Sequence, residues 1–121
     1  MEQTEFEGLV SEALAALPLD IKDLVDNIEV VVAPFPSERQ MRRSHIRNRY
    51  NLLGLYEGVP LTRRGAYYGM VLPDKITIFQ APIEAIATTP EDLARLVRRV
   101  TVHEMAHHFG ISDERLRELG Y

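Results

Sequence analysis

Cysteine is missing from this chain of 121 residues, and so is any apolar run long enough to cross a membrane. Without thiols there is no disulfide framework and no thiolate metal site, so a bound metal must be held by His, Asp or Glu. Charge of one sign is not in large excess either. The formal net charge is −4, which does not suggest a broad nucleic-acid-binding surface. The opening residues MEQTEFEGLV are acidic and lack a basic region followed by an apolar stretch, so they do not read as a signal peptide. Nor is an inhibitory pro-segment visible. The expectation is a soluble, cytoplasmic protein that does not associate with membranes. What is present is an ordinary globular balance, 45% hydrophobic and 26% charged residues, and a length that suits one domain over 1–121 with a single modest core.

Periodicity divides the chain into helices and strands. Phe6, Leu9, Val10, Ala13, Leu14 and Leu17 form one helical stripe over 4–16, with Thr4 and Glu7 offering a capping box. After Pro18, residues 20–25 predict a short helical turn. Ile28 to Ala33 (IEVVVA) is β-branched and predicts a buried strand ended by Pro34 and Pro36. Residues 37–50 are polar and basic and read as a loop. Asn51 to Glu57 predicts a second strand, and loops are marked by 58–60 and 63–65. Lys75 to Gln80 predicts a third strand, because Ile76, Ile78 and Gln80 alternate with Thr77 and Phe79. Residues 82–87 fit either a short helix or a continued strand. A long helix then starts with Thr89 as N-cap, Pro90 in the first position and acids in the first turn. Leu93, Leu96, Val97 and Val100 form its apolar stripe, and Gly110 terminates it. Ser112 or Asp113 can cap a last short helix.

Inside the long helix, His103-Glu104-Met105-Ala106-His107 spells H-E-x-x-H. Four residues are about one turn, so the two histidines stand on one face. That face continues the apolar stripe through Leu96 and Val100, which directs the imidazoles inward or into a cleft. Two neutral imidazoles there can hold one Zn²⁺ at about 2.0–2.1 Å. Such an ion lowers the pKa of a coordinated water to about 7, and Glu104, beside the first histidine, can take its proton. Two histidines one turn apart can arise by chance. The capped helix, the inward face and a plausible third ligand argue against chance here.

The motif extends to H-E-x-x-H-x-x-G-x-x-D. Gly110 permits a sharp turn that can return Asp113 to the metal, and three protein ligands leave a fourth position open, as catalytic zinc requires. Glu114, Glu118 and His108 are the rival third ligands, and a plain helix-capping role is the alternative for Asp113. His108 leaves the ligand face, and a glutamate from a second helix usually comes twenty or more residues further on.

These residues, with LLGLYEGVPLTRRG (52–65), YYGMVLPDKITIF (67–79) and RRVTVHEMAHHFGISDERLRELG (98–120), resemble the small bacterial zincin-like metallopeptidases, or minimal zincins. The resemblance covers most of the chain. It implies an α+β zincin-like fold, with a small mixed sheet packed on an active-site helix, and zinc as cofactor. The motif is also similar to metzincin-type motifs with an Asp ligand, although no methionine follows Asp113 to make a methionine turn. The expectation is a zinc-dependent peptidase acting on a peptide or protein, with metal ligands His103, His107 and Asp113 and with Glu104 as general base. The alternatives are a metal-dependent ribonuclease and a non-catalytic zinc-binding module.

Other residues carry weaker signals. Lys75 to Gln80 resembles the edge strand that lines a zincin cleft, where a substrate backbone could pair; an ordinary core strand is the alternative. Tyr56, Tyr67, Tyr68 and Tyr121 could stabilise an oxyanion or simply pack. Glu57 could orient a ligand imidazole or stand solvated at a strand end. Arg39, Arg42, Arg43, His45, Arg47 and Arg49 make a dense basic segment. It could touch RNA, an acidic partner or an acidic substrate, though a solvated surface explains it more simply.

Overall fold

The computed structural model describes residues 1–19, 22, 28–58 and 74–120, with the side chains of His107 and His108 outside that description. Of the turn expected over 20–25 only Lys22 is described, and the loops at 59–60 and 63–65, with Tyr67, Tyr68 and Tyr121, lie outside the described residues. Helix α1 (Gln3–Ala15) buries Phe6, Val10 and Ala13, the stripe read from the sequence. Its start differs from expectation. The N-cap is Glu2 and makes no side-chain capping bond, so the Thr4–Glu7 capping box is not formed. Glu7 instead accepts from Gln3 Nε2, one turn earlier on the exposed face.

Among the described residues three strands make one mixed sheet: β1 (Ile28–Ala33), β2 (Gly54–Glu57) and β3 (Asp74–Phe79), in the order β1-β3-β2. β1 runs parallel to β3 and β2 antiparallel to it. β3 is therefore the central strand, so of the two readings of Lys75 to Gln80 the ordinary core strand holds and the edge strand is corrected. Both its rims are already hydrogen-bonded to neighbours, which leaves no ladder for a substrate. The register sets Val30, Val32, Ile76, Ile78, Tyr56 and Gly54 on one face. Ile76 and Ile78 are fully buried there, in the cluster that joins Phe6, Val10, Val97, Val100 and Met105.

The expected second strand begins later than Asn51. Asn51 closes a 3-10 turn (Arg49–Asn51) whose cap, Asn48, accepts from the Tyr50 amide. The expected loop at 37–50 is corrected as well, for it contains helix α2 (Glu38–Arg43). Ser37 and Gln40 form a reciprocal capping box, with bonds of 3.1 and 2.9 Å. That S-x-x-Q pattern was a readable signal. The helix ends in a Schellman motif: His45 N–H donates to Arg42 O and Ile46 N–H to Met41 O. His45 takes the left-handed position at φ 57° that glycine usually fills. Tertiary contact completes the stabilisation of so short a helix. Gln40 donates to Glu57 at 2.9 Å, and Arg43 lies 3.5 Å from the same carboxylate.

The ambiguous stretch after β3 is helix α3 (Gln80–Ile86), so Gln80 belongs to the helix and not to the strand. Helix α4 (Pro90–Phe109) follows, capped by Thr89, whose hydroxyl accepts from the Asp92 amide at 3.0 Å. Leu93, Val97, Val100, Val102, Met105 and Ala106 are buried along it. Gly110 ends it at φ 66°, and the amides of Gly110 and Ile111 both reach Ala106 O. Helix α5 (Asp113–Glu118) is capped by Ser112 and held to the core by buried Leu116. No helix of the described residues is long and apolar enough to cross a membrane.

Candidate metal centre on helix α4

α4 and the start of β2 form the two sides of a cleft of about 370 Å³, lined by Leu53, Gly54, Leu96, Arg99, Val100, His103 and Glu104. The helical stripe predicts this arrangement: Leu96, Val100 and His103 recur at intervals of four and three residues, so they share a face. His103 and Glu104 are half-buried. The strand approaches closely because residue 54 is glycine. A Cβ there would lie 3.0 Å from both Glu104 Cγ and Val100 Cγ1. The strand beside the helix is thus β2, the role the sequence had suggested for the segment that became β3.

The sequence-derived site residues divide as follows. His103 and Glu104 come together on one wall of the cleft. His107 occupies the next turn of α4, four residues after His103, where helical geometry carries it to the same side of the backbone. Asp113 opens α5 and is exposed, while Ser112 supplies the cap by accepting from the Arg115 amide at 3.1 Å. The capping alternative for Asp113 therefore falls to its neighbour. The Gly110 turn separates the two helices by three residues, and half-buried Ile111 with buried Leu116 fixes the direction in which α5 leaves. Among the rivals, Glu118 pairs with Arg115 at 3.2 Å, and Glu114 is exposed. Among the described residues no three His, Asp or Glu side chains converge on a metal position; the His107 side chain is outside that set.

Two further candidates lie away from the cleft. Glu57 sits opposite Lys75 in the register, on the sheet face turned away from Ile76 and Ile78, and its carboxylate is engaged by Gln40 and Arg43. It is neither a partner for a ligand imidazole nor simply solvated. Tyr56 is half-buried against the core cluster. In the basic segment, Arg43 is committed to Glu57, and the Arg49 guanidinium lies 4.1 Å from the centre of the Phe35 ring and 5.4 Å from that of Tyr50. The remaining arginines of that segment, Arg39, Arg42 and Arg47, are exposed. The residue that sequence reasoning missed is Arg99, which lines the cleft one turn before His103. Its place on the His103 side of the stripe was the available signal.

A long capped helix carrying H-E-x-x-H, packed on a small mixed sheet, defines an α+β protein of the zincin-like class. The family model for zincin-like metallopeptidases matches residues 25–121, and the chain belongs to that family. No curated protein matches the chain. The family implies zinc binding, and the donors present fit that ion. The imidazoles of His103 and His107, with a carboxylate three residues past the glycine turn, are the nitrogen and oxygen donors that zinc accepts when no thiolate is available.

Proposed function

We propose that the chain is a zinc-dependent peptidase whose ligands are His103, His107 and Asp113 and whose general base is Glu104. The observation that carries this reading is the shared cleft: His103 and Glu104 stand on one wall of a groove whose other described lining is Leu53, Gly54, Leu96, Val100 and a single cation, Arg99. Mostly apolar walls with one arginine suit a polypeptide better than the phosphates of RNA, which call for clustered cations.

Zinc, when bound, supplies a Lewis acid that polarises the scissile carbonyl and makes water a better nucleophile near neutral pH. The chain's own residues do the rest. The two histidines and Asp113 would hold the ion. The Glu104 carboxylate accepts a proton from the attacking water and passes it to the departing amine, so one oxygen serves as base and then as acid. Half-burial of Glu104 against Gly54 limits the positions that its carboxylate can take. The partner is a peptide or protein, drawn into the cleft in an extended form.

The deciding experiment is a peptide-library screen of wild type and Glu104→Gln, with zinc measured on both. General acid–base assistance typically contributes ~10²–10⁴-fold, and a loss of that order with zinc content near normal is expected. Loss of zinc in the variant would make Glu104 structural. Zinc-dependent cleavage of RNA with no peptide cleaved would replace the peptidase by the nuclease.

A further inference from the structure

Arg99 and His103 stand four residues apart on α4 and line the same cleft. At 1.5 Å per residue their backbones are about 6 Å apart along the helix. Arg99 is exposed, and no ion pair or hydrogen bond of its side chain is seen among the described residues. That distinguishes it from Arg43, Arg95 and Arg115, whose guanidinium groups meet Glu57, Asp92 and Glu118. The other described lining residues are apolar except for His103 and Glu104. One permanent cation with a planar fork of donors therefore lines a largely apolar groove. Such a fork matches a carboxylate in two parallel hydrogen bonds.

We propose that Arg99 is the specificity-determining residue of the cleft, binding a substrate carboxylate about two residues from the scissile bond. An extended peptide advances about 3.3 Å per residue, so two residues span the distance from His103 to Arg99. The inference rests on the reading of the cleft as a peptide site. The carboxylate can be an Asp or Glu side chain, which makes the enzyme an acid-directed endopeptidase, or a free C-terminus, which makes it a carboxydipeptidase.

The test is calorimetric titration of the full chain, both without added metal and, as Glu104→Gln, loaded with zinc. The probes are blocked pentapeptides in which one Glu is walked across the positions, their Gln counterparts, and a peptide ending in a free carboxylate against its amide. Glu at one position should bind about tenfold more tightly than Gln, since charge-assisted hydrogen bonds exceed neutral ones. The preference should vanish in Arg99→Gln, shrink in Arg99→Lys, which keeps the charge and loses the two-pronged donor, and turn toward Lys-containing peptides in Arg99→Glu. Tighter binding of the free-carboxylate peptide in place of the internal Glu would assign the C-terminus as the source. Arg99 is overturned if no acidic peptide is preferred, if all bind too weakly to measure, or if the preference survives Arg99→Gln. A preference seen only with zinc and indifferent to Arg99 would assign the carboxylate to the ion. The same peptides incubated with zinc-loaded wild type separate the two readings. Cleavage without acid preference overturns Arg99 and leaves the peptidase standing. Arg99-dependent binding with no cleavage overturns the peptidase and leaves carboxylate recognition standing.

Discussion

Gly54 and Glu104 meet across the cleft so closely that a Cβ on the glycine would fall 3.0 Å from Glu104 Cγ. The same Cβ would fall 3.0 Å from Val100 Cγ1, and Val100 is buried and stiff at χ1. Glu104, half-buried and unbranched, is the side that yields. Gly54→Ala is therefore expected to cost about 1 kcal/mol of stability from overpacking. It should reduce peptide hydrolysis by more than that figure implies while zinc content stays normal. Gly54→Val should worsen both. Urea denaturation and turnover, measured together, check this; an alanine variant with unchanged turnover would show that Glu104 relaxes without consequence.

Asp113 and Glu118 bracket α5, and only Asp113 follows the Gly110 turn directly. Competition with a chromophoric chelator should show Asp113→Ala weakening zinc binding by at least tenfold and Glu118→Ala leaving it near wild type. Equal effects would mean that the third ligand has been misassigned.

Two positive-φ positions give opposite expectations. Gly110 is at φ 66° with nothing within 4 Å of its missing Cβ, so Gly110→Ala meets backbone strain and no clash. The left-handed region costs a non-glycine residue roughly 1–2 kcal/mol, and Gly110→Asn should cost less. His45 already bears that strain at φ 57°. His45→Gly should stabilise by about 0.5 kcal/mol, the relief being partly offset by greater freedom of the unfolded chain. Paired denaturation curves decide both.

Asp92 predicts a pH dependence. Its hydrogen bond with Arg95, and then the amide of Thr88, hold the carboxyl below its ordinary value of 3.8. A folded-state value below the unfolded one means that the ionised carboxylate stabilises the start of α4. That contribution is fully present above the unfolded value and is lost as pH falls through the folded one. The stability difference between wild type and Asp92→Asn should thus be constant from neutrality to about pH 5 and shrink below pH 4. A difference that grows on acidification would reverse the assignment.

The sequence by itself determined the elements whose signals are local. Thr89, Pro90 and Gly110 mark the ends of α4 because capping, a missing amide and a left-handed turn are properties of single residues and near neighbours. The four-residue interval of His103 and His107 carries its geometry with it once the helix is known. IEVVVA is a strand because β-branched residues fit a pleated, buried surface. Tertiary structure decided the rest. β3 is central because β1 and β2 pair to its two sides, and no period within Lys75 to Gln80 distinguishes a centre from an edge. α2 stands where polar composition suggested a loop. Six residues form a stable helix only with their caps satisfied and with Glu57, seventeen residues beyond Gln40, reaching back to them. The neighbours of Gly54 and the place of Arg99 in the cleft without an ion pair among the described residues are likewise matters of distance across the fold. They depend on how α4 settles against β2, a relation between cleft residues more than forty positions apart that no local pattern encodes.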